Sequence, residues 1–411
     1  MLGLGYVGLP LAAEATRCGL TVTGYDPDRA VVRDLNAGRS HLPHVSSADV
    51  AAMVRGRFQA TADEAATGSP AAIVMCVPTP LTADHRPDLA AVRSAAEMSA
   101  RRLKPGALVV LESTTYPGTT DEVVRPLLEQ KSGLSAGTDF SLAYSPERLD
   151  PGNADFGIRN TPKVVGGVTP SCTAAAAMFY GKICDQVVQA ASAREAEMAK
   201  LLENTYRHVN IALVNEMAIF CHELGVDLWD AIRCAATKPF GFEAFYPGPG
   251  VGGHCIPIDP NYLSYKVRGL GYPFRFVELA QEVNGRMPGY VVARAAELLN
   301  RNRKPLSGSR VLLLGVTYKR DSADLRESPA ASVARQLRRA GAQVAYCDPY
   351  VTEWFVDGQL VEAGGALAGA AMAADLVILL QAHSAYDIDD IGRRARLLLD
   401  TRGVATAGER L

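Results

Sequence analysis

The sequence lacks the cysteine spacings that would form a metal site. Its eight cysteines are scattered, with no C-x-x-C pair and no His/Cys spacing that would close a zinc site. It also lacks a signal peptide and any uninterrupted apolar stretch of about 18 residues. We therefore expect a cytoplasmic protein in a reducing compartment, with no bound metal and no membrane partner.

The chain also lacks a charge excess of either sign. It has 42 basic and 44 acidic side chains and a formal net charge of −2, so a nucleic-acid partner is not expected. Hydrophobic residues make up 48% of the 411, as in ordinary globular proteins. At about 150 residues per domain, this length predicts two or three domains.

The first residues carry a dinucleotide-binding pattern. Gly3, Gly5 and Gly8 form G-x-G-x-x-G, with Tyr6 and Val7 between the second and third glycines, and a helical sequence follows. The next predicted strand, residues 20–25, ends at Asp26, which lies 18 residues after Gly8. That position suits an acid that binds a ribose. A carboxylate there favours NAD over NADP because it repels a 2′-phosphate; the alternative is a simple glycine-rich turn.

The strand that normally precedes such a turn is missing from the sequence. Only Met1 and Leu2 come before Gly3, whereas the first strand of a doubly wound sheet usually lies at its centre. We therefore expect an N-terminal sheet without its first strand. Either the true start lies upstream, or the protein is truncated and its cofactor site is impaired.

Three further strands are predicted in the N-terminal part, at residues 71–77, 107–111 and 140–144. Val77 and Thr79 lie at the end of the first, Thr114 follows the second and Glu147 follows the third. Because ligands bind at the carboxyl ends of parallel strands, the two threonines are candidates for contacts to the cofactor or to a water. Simple turn or N-cap roles are the alternative. Glu147 is a candidate acid or base.

A glycine- and proline-rich stretch, residues 248–260, displays one thiol. Cys255 follows GPGVGGH, and Asp259 lies four residues after it. Glycines let the backbone come close to a ligand, and a nearby carboxylate can assist the attack by the thiol or by a water. A buried structural cysteine is the alternative.

Residues 194–224 predict one long helix without glycine or proline. Met198, Leu201, Leu202, Thr205, Val209, Ala212 and Leu213 recur at spacings of three and four, which predicts an extended buried face suited to joining domains or protomers. Lys200 and Asn204 share another face. They could stabilise an oxyanion and hold a reacting group, or they could form solvated surface.

A second α/β pattern begins near Pro305. The run from Ser309 to Gly315 is a buried strand, but no G-x-G-x-x-G follows it. We therefore expect a Rossmann-like half that binds something other than a dinucleotide. Lys319, Arg326 and Arg402 lie at strand ends and would suit a diphosphate, with ordinary salt bridges as the alternative.

These patterns predict an α/β chain with two Rossmann-like doubly wound domains, joined by a long central helix and a helical middle domain. The predicted boundaries are 1–193 for the NAD-binding domain, 194–300 for the helical domain with the thiol loop, and 301–411 for the second Rossmann-like domain.

Taken together, the motifs resemble those of the UDP-glucose/GDP-mannose dehydrogenase family, from Gly3 to about Arg402. The matching stretches are GLGYVGLP, VPTP, STTYPGTT, SPERLDPGN, KLLEN, GPGVGGHCIPIDP, YKRDSADLRESP and DTRG. The resemblance implies an NAD-binding domain, a helical dimer core and a domain that binds UDP. It also implies oxidation of C6 of a nucleotide sugar from alcohol to acid with two NAD per turnover.

The resemblance assigns roles to single residues. Cys255 corresponds to the nucleophile that holds the aldehyde as a thiohemiacetal and then as a thioester. Lys200 corresponds to an oxyanion-stabilising lysine, Asn204 to a site asparagine, Asp259 to the carboxylate linked to general-base assistance, and Glu147 to a glutamate of the hydrolysis step, with the water near Thr114. Arg402 corresponds to an arginine that reaches the substrate of a neighbouring subunit. The remaining substrate-binding candidates are Arg148, Phe245, Tyr246, Gly252 and Lys319.

Within the family, SPERLDPGN and KPFGFEAFYPGPGVGGHC are most similar to enzymes acting on UDP-N-acetylhexosamines, particularly UDP-N-acetylglucosamine. UDP-glucose is the alternative substrate. A catalytically impaired nucleotide-sugar-binding protein is the alternative of a different class, and a dehydrogenase that stops after one hydride is disfavoured because it needs no cysteine. A homodimer or higher homo-oligomer is expected.

Overall fold

The structure is a computed structural model that describes residues 1–42, 44–82, 86–149, 153, 155–253 and 256–411. The chain divides into two compact units. Unit 1 comprises Met1–Glu203 and Asn261–Tyr272, and unit 2 comprises Asn204–Pro260 and Pro273–Leu411.

The helices, in chain order, are α1 (Gly8–Arg17), α2 (Arg29–Asn36), α3 (Ser47–Arg55), α4 (Ala90–Arg102), α5 (Arg125–Ser132), α6 (Pro170–Tyr180), α7 (Ala193–Leu224), α8 (Leu228–Ala235), α9 (Asp259–Gly269), α10 (Arg275–Arg301), α11 (Pro329–Arg339), α12 (Leu367–Ala373) and α13 (Ile388–Arg394). A 3₁₀ turn spans Glu64–Thr67, and a π-helical turn spans Thr120–Val124.

The strands are β1 (Val22–Tyr25), β2 (Phe58–Thr61), β3 (Ala72–Met75), β4 (Leu108–Leu111), β5 (Ser141–Tyr144), β6 (Lys163–Gly167), β7 (Val187–Gln189), β8 (Arg310–Leu314), β9 (Gln343–Cys347), β10 (Phe355–Val356), β11 (Gln359–Leu360), β12 (Glu362–Ala363), β13 (Leu376–Leu379), β14 (Leu398–Asp400) and β15 (Glu409–Arg410).

Unit 1 contains a mostly parallel sheet with helices on both faces. β1 pairs with β2, and β3 to β7 follow one another; β5 and β6 form the antiparallel pair of this series. β4 reads Leu-Val-Val-Leu and is buried along its whole length, as expected of a parallel strand covered on both faces. One core cluster includes Leu9, Leu35 and Phe58, and another includes Val110 and Tyr180.

Residues Met1–Gly3 lie where the first strand of the sheet is expected. The structure therefore does not support the prediction that this strand is missing. Leu2 forms parallel bridges with Tyr25 of β1 and Met75 of β3. The backbone N–H of Leu2 donates to Val74 O over 2.8 Å, and the N–H of Cys76 donates to Leu2 O over 2.8 Å. The glycine turn is therefore anchored on both sides through one bridged residue.

Unit 2 contains a parallel six-stranded sheet in the order β12-β9-β8-β13-β14-β15. The apolar runs of β8 and β13 lie at its centre, and β13 is buried along its whole length. A core that includes Trp229, Met287 and Ile378 joins the sheet to the helices of the same unit. The predicted fold class, with two Rossmann-like sheets and a long helix, is confirmed.

The long helix α7 has 32 residues, which corresponds to about 48 Å. Within one chain, three residues of the face predicted to join domains or protomers are exposed. Leu201 is fully buried, whereas Met198, Leu202 and Leu213 have exposed fractions of 40%, 64% and 53% in the single chain. The apolar residues surround more of the helix than one chain covers, so spacing alone did not show which of them are buried.

Candidate active site

The three glycines of the first turn have different roles. Gly3 has φ +90°, and a Cβ there would lie 2.5 Å from the carbonyl oxygen of Cys76. A Cβ on Gly8 would lie 1.9 Å from the carbonyl oxygen of Gly3, whereas a Cβ on Gly5 would meet nothing within 4 Å. Gly3 and Gly8 therefore permit tight packing of turn and helix, and Gly5 leaves open space where a ligand can approach.

Asp26 lies at the end of β1 and holds this turn. Its Oδ2 accepts a hydrogen bond from the backbone N–H of Leu4 over 3.0 Å, and its Oδ1 accepts one from Asp28 N–H over 3.0 Å. Its side chain is half-buried. The acid is thus oriented beside the glycine turn, as a ribose-binding carboxylate must be.

The start of α1 fits the pyrophosphate of NAD. Val7 is the N-cap residue without a side-chain cap, and the first turn carries no acidic residue. The first backbone N–H groups of a helix attract anions. Tyr6, in the same turn, stacks on His44 with ring centroids 5.1 Å apart. The open position at Gly5, the uncapped helix and Asp26 together fit a dinucleotide.

The segments after β3 and β4 are tied together at the carboxyl edge of the sheet. Ser113 Oγ donates to Val77 O over 2.7 Å, which brings Val77 next to the segment that carries Thr114. Thr79 is buried, and its carbonyl accepts a hydrogen bond from the Tyr262 hydroxyl over 2.7 Å. Neither threonine is the N-cap of a described helix. Both therefore remain candidates for cofactor or water contacts.

Glu147 follows β5 and lies on a segment that is bonded to the start of β6. Ser145 Oγ donates to Val164 O over 2.8 Å, and Lys163 Nζ donates to Pro146 O over 3.3 Å. Arg148 Nη1 donates to Pro162 O over 2.7 Å. These contacts on both sides of Glu147 position it at the same sheet edge as Thr114.

A buried cluster that sequence reasoning missed lies behind this segment. Lys163 Nζ lies 3.0 Å from Glu112 Oε1, and the Tyr180 hydroxyl donates to the same oxygen. Burial alone would lower the pKa of Lys163, but the carboxylates of Glu112 and Glu147 raise it above its ordinary value. The signal available in the sequence was a charged residue at the start of an apolar strand, TPKVVGG.

Lys200 is buried on α7. Three residues earlier on the helix, Glu197 accepts hydrogen bonds from Gly118 N–H, Thr120 N–H and the Thr120 hydroxyl. Burial raises the pKa of Glu197 to about 7. Glu197 thereby ties the segment that follows Thr114 to the helix that carries Lys200, and sequence spacing gave no signal for this contact.

In unit 2, the glycines before Cys255 pack against Tyr318. A Cβ on Gly252 would lie 2.6 Å from Tyr318 Cβ, and a Cβ on Gly253 would lie 2.7 Å from the Tyr318 ring. Gly253 N–H donates to Arg326 O over 2.9 Å. Cys255 and His254 lie outside the described residues. Gly252 and Gly253 therefore bring the backbone directly before the thiol against the C-terminal part of the chain.

The beginning of the same loop is held by a buried amide pair. Gly248 N–H donates to Asn215 Oδ1 over 2.9 Å, and Asn215 Nδ2 donates to Asn284 Oδ1 over 2.8 Å. Beyond the thiol, Asp259 is 1% exposed and begins α9, and its carboxylate accepts a hydrogen bond from the Asn204 side-chain amide. Two of the predicted site residues, Asn204 and Asp259, are thus in direct contact.

The basic residues predicted for a diphosphate have different surroundings. Arg326 makes a two-pronged ion pair with Asp324, so the salt-bridge alternative holds for it. Arg402 Nε donates to Leu380 O over 2.7 Å, and burial lowers its pKa to about 10. Its Nη1 would lie 3.1 Å from a Cβ on Gly248, so Arg402 lies against the start of the thiol loop. Lys319 is half-buried.

Phe245 and Tyr246 precede that loop. Phe245 packs edge-on against Tyr206 of α7 with ring centroids 5.7 Å apart. Tyr246 is exposed. The role of both residues toward substrate stays a prediction.

Within the described ranges, no group of three or more His, Cys, Asp or Glu side chains could hold a metal ion. A search of the same part of the chain for helices with the length and apolarity of a membrane span found none.

The chain matches three domain models of one family. The NAD binding domain of the UDP-glucose/GDP-mannose dehydrogenase family matches residues 1–184, the central domain 194–286 and the UDP binding domain 312–407. The predicted resemblance and the NAD cofactor are confirmed.

Relatives of known activity match over nearly the whole chain. A UDP-N-acetyl-D-glucosamine 6-dehydrogenase of Pseudomonas aeruginosa is 34% identical over 411 residues, covering 98% of this chain and 96% of that one. A UDP-N-acetyl-D-mannosamine dehydrogenase of Salmonella typhi is 35% identical over 424 residues, covering 98% of both.

A solved structure has the same fold. The UDP-D-ManNAc dehydrogenase of Pyrococcus horikoshii superposes with a TM-score of 0.87 at 31% identity, covering 98% of this chain and 94% of that chain. From the glycine turn, the domain matches and these relatives, we conclude that the chain belongs to the UDP-glucose/GDP-mannose dehydrogenase family and is an NAD-dependent oxidoreductase that acts on a UDP-sugar.

Proposed function

We propose that the protein oxidises C6 of a UDP-N-acetylhexosamine, with UDP-N-acetylglucosamine as the first candidate, from the alcohol to the carboxylate. In the balanced reaction, one alcohol, two NAD⁺ and one water give one carboxylate, two NADH and three protons. The relatives that act on UDP-N-acetylglucosamine and UDP-N-acetylmannosamine support this substrate class. UDP-glucose is the alternative.

The observation that carries this proposal is the construction of the chain on both sides of the thiol. Gly252 and Gly253 are packed against Tyr318 before it, and Asp259 is bonded to Asn204 after it. We infer that a stretch almost free of side chains, held in place before and after the thiol, serves to present a nucleophile.

In the proposed mechanism, NAD held at the glycine turn would supply the hydride acceptor for the two oxidations at C6. The Cys255 thiolate adds to the aldehyde carbon, and the C–S bond makes a thiohemiacetal whose oxidation gives a thioester. Lys200 stabilises the oxyanion at C6, because the attraction between an ammonium and an oxyanion is strongest where water is excluded. Asn204 and Asp259 act as a pair, the amide orienting the carboxylate that accepts a proton.

Hydrolysis of the thioester completes the proposed reaction. Glu147, with Thr114, positions the water that attacks the thioester carbon, and the C–S bond breaks to return the thiolate. On the substrate side, Lys319 and Arg402 bind the diphosphate, and the backbone of Gly252, packed against Tyr318, lies beside it. Arg148, Phe245 and Tyr246 line the sugar end. On the cofactor side, Gly3, Gly5, Tyr6, Val7, Gly8, Asp26, Val77 and Thr79 hold NAD.

We also propose a homodimer built on α7. Tyr206, Leu213 and Phe220 are exposed at intervals of seven residues, and Leu224 extends the stripe. An apolar stripe of this length on one helix is typical of a protein interface. We retain the division into 1–193, 194–300 and 301–411, which the three domain matches support. The free thiols of the described cysteines support a cytoplasmic location.

The test is NADH formation by the purified protein with UDP-N-acetylglucosamine, UDP-N-acetylmannosamine, UDP-glucose and GDP-mannose. We expect two NADH per sugar and the highest kcat/KM with an N-acetylhexosamine. The Cys255→Ser variant should lose nearly all activity, and Cys234→Ser, which changes an exposed thiol, should keep it. One NADH per sugar, or turnover that survives Cys255→Ser, would rule out the thioester mechanism.

A further inference from the structure

The two sheets of the chain contain the same acid-bearing turn. In unit 1, Gly3 has φ +90° and the next N–H, of Leu4, donates to Asp26 Oδ2 over 3.0 Å. In unit 2, Gly315 has φ +73° and the next N–H, of Val316, donates to Asp348 Oδ2 over 2.7 Å.

The similarity extends to the residues that follow each acid. Both acids precede a proline, and the residue after that proline donates its N–H back to Oδ1. Asp28 does so over 3.0 Å to Asp26, and Tyr350 over 2.8 Å to Asp348. Unit 2 thus retains the acid of a dinucleotide-binding sheet, although its sequence lacks the second and third glycines.

The two acids differ in what lies against them. Asp26 is half-buried, whereas the side chain of Asp348 is fully buried and contacts His383 Nε2 over 3.1 Å. His383 lies four residues after β13, and Thr79 lies four residues after the equivalent strand β3. In unit 2, a histidine of the protein therefore binds the acid, whereas the equivalent acid of unit 1, Asp26, is left for a ligand.

The hydrogen bonds determine the tautomer of His383. Its Nδ1 accepts from the backbone N–H of Asp321 over 3.0 Å, so the proton is on Nε2. That N–H is directed at Asp348 Oδ2 and at Thr317 Oγ1, 3.3 Å away. The ring also lies between Tyr350 and Tyr386, with centroid distances of 5.1 and 5.4 Å. The imidazole is thus bonded through both nitrogens.

Both ends of one short segment, residues 317–321, are bonded to this imidazole. Thr317 Oγ1 also donates to Lys319 O over 2.9 Å, and Tyr318 O accepts from Gln381 Nε2 over 2.9 Å. Asp321 has φ +54°, a conformation that is strained for a non-glycine residue and persists only where contacts hold it. The segment carries Lys319, and it carries Tyr318, against which Gly252 and Gly253 pack.

We propose that His383 is a positioning residue for the UDP part of the substrate. It binds Asp348, the acid of the second Rossmann-like sheet, and holds residues 317–321 in place. Lys319 is thereby positioned for UDP, and Tyr318 is positioned for the thiol loop. The inference rests on the proposed function, since it takes UDP as the ligand of unit 2. In this arrangement the C-terminal sheet provides a rigid support where its counterpart provides a cofactor site.

Two substitutions separate the two bonds of the imidazole. The amide of asparagine reaches the place of Nδ1, and the amide of glutamine reaches the place of Nε2. His383→Asn therefore retains an acceptor for Asp321 N–H, and His383→Gln retains a donor for Asp348 and Thr317 but loses the acceptor for Asp321 N–H. Thr317→Val removes the contact of Thr317 Oγ1 with the imidazole together with its hydrogen bond to Lys319 O.

The experiment is calorimetric titration of each purified full-length variant with UDP, together with steady-state KM values for the UDP-sugar and for NAD. We expect His383→Gln and Thr317→Val to weaken UDP binding by about five- to tenfold and to raise the KM of the UDP-sugar without changing that of NAD. We expect His383→Asn to bind UDP within about twofold of the wild type, even if its melting temperature falls. Asp26→Asn changes the equivalent acid of unit 1, and it should raise the KM of NAD and leave UDP binding unchanged.

Equal loss of UDP binding in His383→Asn and His383→Gln would overturn the proposal, because it would make the role purely structural. Unchanged UDP binding in Thr317→Val and His383→Gln would also overturn it, while leaving the proposed function intact. A wild-type protein that binds no UDP would overturn both.

Discussion

The carboxylate of Glu197 on α7 accepts two hydrogen bonds from Thr120, one from its backbone N–H over 2.9 Å and one from its hydroxyl over 2.7 Å. The contact joins residues 77 positions apart and fastens the segment after β4 to the long helix. Because Glu197 is almost fully buried, its carboxylate is stabilised by these donors rather than by water.

This contact predicts a pH dependence of stability. Burial raises the pKa of Glu197 to about 7, from an ordinary glutamate pKa of about 4.3. The folded state therefore binds this proton more tightly than the unfolded state. As the pH rises from the ordinary glutamate pKa to about 7, the contribution of Glu197 to the free energy of unfolding falls by up to about 3 kcal/mol.

Urea unfolding at pH 5 and pH 8 measures this effect. Glu197→Gln should flatten the dependence in that window, whereas Glu195→Gln, on the exposed side of the same helix, should leave it unchanged. An unaltered slope in Glu197→Gln would assign the pH dependence to other groups.

The charge of Asp26 predicts the choice of cofactor. Asp26→Asn removes the carboxylate that repels a 2′-phosphate, and one of its two acceptor oxygens is lost. We expect kcat/KM for NADP relative to NAD to rise by about tenfold, or ~1.4 kcal/mol. Asp28→Asn conserves the N-cap of α2 and should leave the ratio unchanged. Initial rates with both cofactors test this, and an unchanged ratio in Asp26→Asn would contradict it.

The buried pair Lys163–Glu112 predicts a large loss of stability when one partner is removed. Lys163→Met leaves the Glu112 carboxylate buried without its cation, which should lower the free energy of unfolding by about 3–5 kcal/mol. The double variant Lys163→Met/Glu112→Gln should recover much of that loss, because neither charge remains.

The exposed ion pair Arg233–Asp230 is the control, and Arg233→Met should leave the free energy of unfolding nearly unchanged because water already screens both charges. Denaturant unfolding of the wild type, Lys163→Met, Glu112→Gln, the double variant and Arg233→Met measures these differences. Additive losses in the Lys163 and Glu112 variants would mean that the two charges do not stabilise one another.

The packing of Gly252 predicts that a single methyl group disrupts the thiol loop. A Cβ there would lie 2.6 Å from Tyr318 Cβ and 2.8 Å from Glu327 O, so the backbone three residues before Cys255 must move. We expect Gly252→Ala to lower kcat by about a hundredfold or more. Gly269→Ala, where a Cβ meets nothing within 4 Å, should leave kcat unchanged. A fully active Gly252→Ala variant would show that the loop tolerates displacement.

The exposed stripe on α7 predicts the oligomeric state. Leu213→Glu places a charge in the proposed interface, twice in a symmetric dimer, and should weaken association by about 2 kcal/mol or more. Light scattering coupled to gel filtration should then find monomer at micromolar concentration. Met178→Glu, at an apolar residue of α6 that is more exposed than Leu213, should remain dimeric. Dimers in both variants would place the interface elsewhere.

Much of the fold follows from local patterns. The strands β3, β4, β5, β8 and β13 were predictable because parallel strands buried on both faces must be continuously apolar. The glycine turn and Asp26 were predictable because a tight turn, a close ligand approach and a terminal acid each demand a particular residue at a particular spacing. The order of site motifs likewise indicated the family and its cofactor.

By itself, then, the amino-acid sequence determined the order of strands and helices, the cofactor turn and the chemistry of the candidate residues, because each depends on neighbours a few positions away. Only the tertiary structure decided which distant side chains meet. Glu197 accepts a hydrogen bond from Gly118, Lys163 pairs with Glu112, and His383 binds Asp348. These partners lie 79, 51 and 35 positions apart. No periodicity links such residues, and their side chains meet only because packed sheets bring distant strand ends to one edge and exclude the water that would otherwise solvate them.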